Sequence, residues 1–214
     1  EKYGGTILKQ LKKMGASCDW TKTAFTMDPE YSKSVIKAFV KLYDDGLIYR
    51  GKRMVNWDPD GLTAVSDEEV VYKETNGKLW YFKYPIENSK NDFITVATTR
   101  PETMLGDTAV AVHPDDDRYK HLVGKVCCLP LTDRLIPIIA DEYSDPEKGS
   151  GAVKITPAHD FNDFEVGRRN GLEMINIFDR NAHLNENVPK VYQGMERFQA
   201  RKKIIADMSS LELL

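Results

Sequence analysis

The chain has 214 residues, a formal net charge of −3, and 41% hydrophobic against 29% charged residues, a balance that supports one substantial core plus a small appendage and excludes a disordered chain. No apolar run approaches membrane-spanning length and no secretory signal is recognisable. Three cysteines make no disulfide framework, so a reducing cytoplasm is the expected location.

Residues 1 to about 50 read as helical. Thr6 is placed to start a short helix carrying Ile7, Leu8, Leu11 and Met14, stopped at Gly15. Asp28-Pro29-Glu30 starts a second, with proline in the first turn; Val35, Phe39 and Leu42 follow at helical spacing, and Gly46 ends it. From about 53 to 156 the pattern changes to short strands: Met54–Trp57, Leu79–Tyr84, Phe93–Thr98, Thr108–Val112, Val126–Leu129, Leu135–Ile139 and Ala152–Thr156. Turn signals such as Asn76-Gly77 and Asp145-Pro146 separate them. Many short strands at this spacing argue for a closed or partly closed β-barrel. A helix from Asp160 to about Asn170, stopped by Gly171, and a strand over Met174–Phe178 come next. Asn181–Pro189 reads as a polar, mobile loop. Met195, Phe198, Lys202, Ile205 and Met208 suggest a last amphipathic helix with one snorkelling lysine. The expected class is α+β, with a helical connecting segment over 1–52 and a β-barrel domain over 53–214 that carries helices after its strands.

Two stretches concentrate reactive side chains: Thr98-Thr99-Arg100-Pro101-Glu102-Thr103, and Gly149 to Asp163. Each ends a strand, and strand ends with their loops are where folds place chemistry. Pro101 stops the first ladder. In the second, Lys154 and Thr156 alternate onto one strand face, Pro157 breaks the strand, and Asp160 is a natural helix N-cap with Asp163 in a capping-box-like place. Read structurally, the threonines pack, Arg100 makes a surface ion pair and the aspartates cap a helix. Read functionally, the set offers hydroxyls, a cation and two carboxylates to a small ligand with an ammonium, a hydroxyl and a carbonyl.

Metal and covalent chemistry have weaker support. His159 lacks a second histidine at ligand spacing, His113 with Asp115, Asp116 and Asp117 reads as a solvated turn, and Cys18, Cys127 and Cys128 lack zinc spacing. The basic patches Lys52-Arg53, Arg168-Arg169 and Arg197 with Arg201-Lys202-Lys203 read first as solvated faces.

The Thr98–Thr103 and Gly151–Asp163 stretches resemble the editing (connective polypeptide) domain of class I aminoacyl-tRNA synthetases, in its valyl branch. Flanking residues agree, among them Gly15-Ala16-Ser17-Cys18-Asp19-Trp20, Val55-Asn56-Trp57-Asp58-Pro59 and Glu196-Arg197-Phe198-Gln199-Ala200-Arg201-Lys202. The resemblance implies a β-barrel that hydrolyses threonine mischarged onto tRNA(Val). It also implies roles: Asp163 holding the substrate α-ammonium; Lys154, Thr156 and Asp160 near the threonine side chain; and Thr98, Thr99 and Arg100 near the terminal adenosine and the scissile ester. The implied partners are the 3′ end of tRNA(Val) carrying threonine and the catalytic domain of the parent synthetase. No His-Ile-Gly-His-like or Lys-Met-Ser-Lys-like segment is present, and the chain opens on Glu1. It is therefore expected to be an interior piece that needs no cofactor, with ATP and magnesium serving only the parent's activation site. Two alternatives stand beside this reading: a non-catalytic tRNA-docking insert, and a metal-dependent hydrolase built around His113 and His159.

Overall fold

A computed structural model describes residues 3–89 and 91–214. The chain divides into two compact units, residues 1–52 and 53–214. The first holds helices α1 (Gly4–Lys13) and α2 (Pro29–Asp44). Pro29 occupies the first turn of α2, and Gly15 and Gly46, just beyond the two helices, take positive φ of 83° and 72°, a backbone that glycine adopts without strain. Both helices are amphipathic, yet neither buries a residue: Ile7, Val35, Ile36 and Phe39 are all exposed.

Among the described residues the second unit contains eight strands, β1 (Asn56–Asp58), β2 (Thr63–Val65), β3 (Trp80–Pro85), β4 (Phe93–Thr98), β5 (Ala109–Val112), β6 (Val126–Cys128), β7 (Leu135–Ala140) and β8 (Ala152–Ile155). Helix α3 (Phe161–Asn170) follows β8, and α4 (Arg197–Ser210) comes last. Strands β3 and β4 pair antiparallel, with Phe82 opposite Val96 and Tyr84 opposite Ile94. Period-2 alternation sends Phe82, Tyr84, Ile94 and Val96 into the core, all fully buried. Strand β5 is buried on both faces, between β7 (parallel) and β8 (antiparallel). Val110 and Val112 join the main core, while the small Ala109 and Ala111 let Ile155 and Val166 of α3 close over the other side.

The expected barrel is not closed by hydrogen bonds. Among the described residues the strands form separate ladders, β1–β2, β3–β4 and β6–β7–β5–β8. One seam is stitched by a bridge between Ile86 and Cys127, with the Glu87 amide donating to the Val126 carbonyl at 2.9 Å. At the other seam β4 runs alongside β8 without a ladder. The reason is that a hollow takes the place of the ladder there, with Ala97 to Arg100 on one side and Val153, Lys154 and Thr156 on the other.

Other expectations are corrected. Met174–Phe178 is not a strand; only Phe178 makes a bridge, to Leu184. The Asn181–Pro189 segment is not simply polar, because Leu184 and Val188 anchor it in the core. Helix α4 buries Ala200, Ile204 and Met208, of which only Met208 belongs to the expected stripe; Met195 and Ile205 pack partly buried against the core, and Phe198 is exposed. From the same helix the Arg201 guanidinium clasps the buried Glu102 carboxylate through Nε and Nη2 at 2.7 and 2.8 Å, which turns this face inward. Glu102 lies in a 3-10 turn, Pro101–Gly106, that the sequence patterns did not reveal.

Candidate active site

The two strand ends meet. Thr98, Thr99 and Arg100 at the end of β4, Lys154 on β8, and Thr156, Asp160 and Asp163 just beyond it all line one hollow of about 220 Å³. Thr103, Tyr143 and His159 join them. Sequence reasoning therefore named residues that come together, and none of the seven lies elsewhere.

Their local geometry follows from the chain. Pro157 ends β8, and Asp160 caps α3, its Oδ1 accepting from the amides of Asn162 at 2.8 Å and Asp163 at 3.2 Å. Gly167 sets how close α3 comes, because a Cβ there would lie 2.7 Å from the Pro157 ring. Asp163 does not complete a capping box. It turns back toward β8, and its Oδ2 accepts the Thr156 amide at 2.8 Å. Its Oδ1 has no partner among the described residues. Burial pushes the Asp163 carboxyl up to about 6, with Lys154 and the Thr156 amide opposing.

Beneath the hollow lies a network that the sequence did not reveal. Asp107 is fully buried. Its Oδ1 accepts from Lys154 Nζ at 3.0 Å and Thr156 Oγ1 at 2.6 Å, and its Oδ2 accepts from the Tyr84 hydroxyl at 2.7 Å. Burial raises the carboxyl's pKa, against the pull of Lys154 and these hydrogen bonds. Lys154 also donates to Thr103 Oγ1 at 2.8 Å and Thr156 Oγ1 at 2.5 Å. An ammonium has three N–H groups, and all three are used inside the protein. The lysine thus has no donor left for a ligand. An ammonium can only donate, so the single Thr156 proton goes to Asp107, and Thr156 retains one lone pair. The polar wall is an acceptor surface: one hydroxyl lone pair and the free oxygens of Asp160 and Asp163.

The opposite wall is wetter. Thr99 is exposed, and the Arg100 side chain is 47% exposed. Arg100 Nη1 donates to the His159 carbonyl at 2.7 Å, tying the two walls together, and its Nε lies 3.6 Å from Glu102. The Thr98 hydroxyl accepts the Arg100 amide at 3.0 Å. His159 does not act as a base or ligand in this arrangement. Its Nε2 accepts the Ile177 amide at 3.0 Å, its ring meets Phe178 edge-on, and burial drives its pKa down to about 3. His113 Nδ1 is likewise occupied, by the Asp115 amide. No group of three or more His, Cys, Asp or Glu side chains suited to hold a metal occurs among the described residues. The Cys127 thiol, buried and pushed up to about 12, is not a nucleophile. No helix of the described residues is long and apolar enough to cross a membrane.

With this geometry in view, the relatives are informative. A family model for class I tRNA synthetases (I, L, M and V) matches residues 1–209. The chain is 60% identical to a valine–tRNA ligase of Pelagibacter ubique over 212 residues, covering 99% of this chain and 24% of that protein. It is 59% identical to one from Francisella tularensis, over 100% of this chain and 23% of that protein. It thus spans about a quarter of the length of these curated relatives. Among solved structures, the ternary LeuRS–tRNA–LeuAMS complex of Agrobacterium radiobacter K84 matches in fold with a TM-score of 0.52 at 20% identity, covering 98% of this chain and 35% of that one. The chain belongs to the class I tRNA synthetases of the isoleucine, leucine, methionine and valine group, as a segment of a larger enzyme.

Proposed function

We propose that this segment is the proofreading hydrolase of a valine-specific synthetase, cleaving the ester of threonine mischarged onto tRNA(Val). The observation that carries the reading is the buried Asp163 carboxylate, whose Oδ1 is unpaired beside a hollow sized for an amino acid. Such a group is costly to leave alone and calls for a cation. An α-ammonium supplies it. The rest of the wall accepts hydrogen bonds, which suits the hydroxyl that distinguishes threonine from the nearly isosteric valine.

The need for a second site follows from physical chemistry. An apolar activation pocket rejects threonine relative to valine by only about a hundredfold, an established figure for this enzyme class. A pocket that binds through hydroxyl acceptors discriminates the other way, because valine leaves them unpaired at about 1–3 kcal/mol each. The ester is already labile beside an ammonium, so a positioned water, with Thr98, Thr99 and Arg100 around the ester and the terminal adenosine, provides the catalysis. Lys154 acts from beneath, fixing the Thr156 hydroxyl rather than touching substrate.

The test is to incubate the chain with Thr-tRNA(Val) and Val-tRNA(Val), with and without a chelator. Selective, chelator-insensitive loss of the threonyl ester is expected. Cleavage of neither ester at high protein concentration sinks the reading, and a rate that collapses with chelator and returns with zinc replaces it with a metal hydrolase.

A further inference from the structure

Arg100 is the cation of the wet wall, and most of its hydrogen-bonding capacity is uncommitted. A guanidinium carries five N–H donors. Among the described residues the Arg100 guanidinium makes one hydrogen bond, from Nη1 to the His159 carbonyl at 2.7 Å. Its ion-pair partner is Glu102, two residues along the chain, whose Oε1 lies 3.6 Å from Arg100 Nε. Hydrogen bonds between such groups run at about 2.9 Å, so the pair stops just short of one.

That gap needs a cause. The Glu102 side chain is 3% exposed, and a carboxylate buried to that degree demands a cation. The 3-10 turn Pro101–Gly106 holds it beside Arg100. If Arg100 were the only cation in reach, the two would close into a local two-pronged pair, and the donors of Arg100 would be committed inside the protein. Arg201 of α4 prevents this. Its Nε donates to Oε2 at 2.7 Å and its Nη2 to Oε1 at 2.8 Å, so a guanidinium from 99 residues away engages both oxygens of Glu102. The Phe198 ring backs this fork, its centroid 5.2 Å from the Arg201 guanidinium carbon. Thr103 fixes the Arg100 backbone: its amide and its hydroxyl both donate to the Arg100 carbonyl, at 3.1 and 3.0 Å, while the hydroxyl accepts from Lys154. Only the Arg100 side chain is left to choose between Glu102 and a ligand.

We infer that Arg201 is a positioning residue for Arg100: by satisfying the buried Glu102 carboxylate, it keeps the remaining Arg100 donors available to oxygen atoms of a ligand in the hollow. Glu102 is then a trap that Arg201 holds shut, and not a tether for Arg100. The inference deepens the proofreading reading and rests on it for what Arg100 meets, the ester and the terminal adenosine. An ion pair that served stability alone would behave differently. Breaking it would weaken the fold, and removing the second partner would bring no activity back.

The test is rescue by a second substitution. Arg201→Met keeps an apolar stem and removes the fork, so Glu102 captures Arg100 and kcat/KM for Thr-tRNA(Val) falls about tenfold. Arg201→Met/Glu102→Gln removes the trap as well and returns to within about threefold of wild type. A second readout needs no substrate. The Nε–H resonance of Arg100, identified by its loss in Arg100→Lys, exchanges quickly with water in wild type, roughly tenfold more slowly in Arg201→Met, and quickly again in the double variant. Where Arg201→Met does not fold, Arg201→Lys takes its place: a lysine cannot reproduce the fork, so the same loss and the same rescue follow in smaller measure. Full activity in the single variants overturns the proposal, and so does a loss that the double variant does not repair. If wild type cleaves no ester, the proofreading reading falls, and the Arg100 resonance alone decides this one: unchanged exchange in the single variants overturns it.

Discussion

The two walls of the small hollow are built on opposite plans. The β8–α3 wall is buried, and its polar atoms are cross-linked: Lys154, Thr156, Asp107, Thr103 and Tyr84 share one network in which donors and acceptors are assigned. The β4 wall is half in water, and its hydrogen bonds are local, such as Thr98 Oγ1 with the Arg100 amide. A buried network strengthens its own bonds and cannot rearrange cheaply, so it suits the task of distinguishing a hydroxyl from a methyl. A wet wall tolerates adjustment, which suits a ribose and an ester that must move during reaction.

The largest expected difference between the walls is in stability. Asp107→Ala leaves the Lys154 ammonium buried without its counter-charge, and breaking such a pair costs about 3–5 kcal/mol. Denaturant midpoints measure it. A loss below about 1 kcal/mol would mean that the network is not the rigid element described here.

Asp163 separates stability from function. Asp163→Ala removes the buried carboxylate whose Oδ1 is unpaired, and deacylation of Thr-tRNA(Val) is expected to fall at least about a hundredfold, roughly 2.7 kcal/mol. Near-normal turnover would end the anchoring role. Asp163→Asn should be equally inactive yet more stable at neutral pH. Burial pushes the folded carboxyl up to about 6 from its ordinary 3.8, so the native state holds its proton longer than the unfolded chain. Wild-type stability therefore falls, on account of this group, as pH rises from about 4 to 6, and the penalty is constant above that. The ceiling is about 3 kcal/mol. The advantage of Asp163→Asn should vanish below pH ~4, grow through pH ~6 and then level off. His159 acts in the opposite sense, destabilising the fold as pH falls below its ordinary range, but it is present in both proteins and cancels in the comparison. An Asn variant less stable than wild type at pH ~8 would contradict the buried-charge argument.

How much of this was legible in the sequence differs between the walls too. Strand β4 is predicted at its observed bounds, and Asp160, Asp163, Lys154 and Thr156 are local signals: a cap, a residue one turn on, and two same-face positions of a strand before proline. Asp107 was not legible. It lies 47 residues from Lys154 and 49 from Thr156, after a 3-10 turn without helical or strand periodicity, and only tertiary pairing of β5 with β8 brings them together. The inward face of α4 was only partly legible for a similar reason: Met208 was expected there, Ala200 and Ile204 were not. A hydrophobic stripe counts apolar residues, whereas here the ion pair between Arg201 and Glu102, 99 residues apart, decides which face turns inward. Lys154 lines the hollow, as the sequence placed it, but its proposed role changes from ligand to support once its three donors are counted.

Within the buried wall, Thr156→Val is the sharpest probe of polarity. It removes the lone pair offered to the substrate and keeps the side-chain volume. Selectivity for the threonyl over the valyl ester should fall about tenfold, with most of the loss on the threonyl side, since one acceptor is worth about 1–3 kcal/mol. Equal loss for both esters would mean that Thr156 only shapes the pocket. Lys154→Met should give less information on selectivity, because it strands Asp107 and mixes stability with recognition.

The smallest effect belongs to the wet wall, and it makes the contrast quantitative. Thr99 is exposed and lines the hollow without belonging to the buried network. Thr99→Val should leave the denaturation midpoint within about 0.5 kcal/mol of wild type, as surface substitutions do. Its kcat/KM for the threonyl ester should drop less than about fivefold, and equally for the valyl ester, because water can replace a lost hydroxyl there. If Thr99→Val instead altered selectivity as strongly as Thr156→Val, hydroxyl recognition would be shared by both walls, and burial would no longer be what makes the β8–α3 side discriminate.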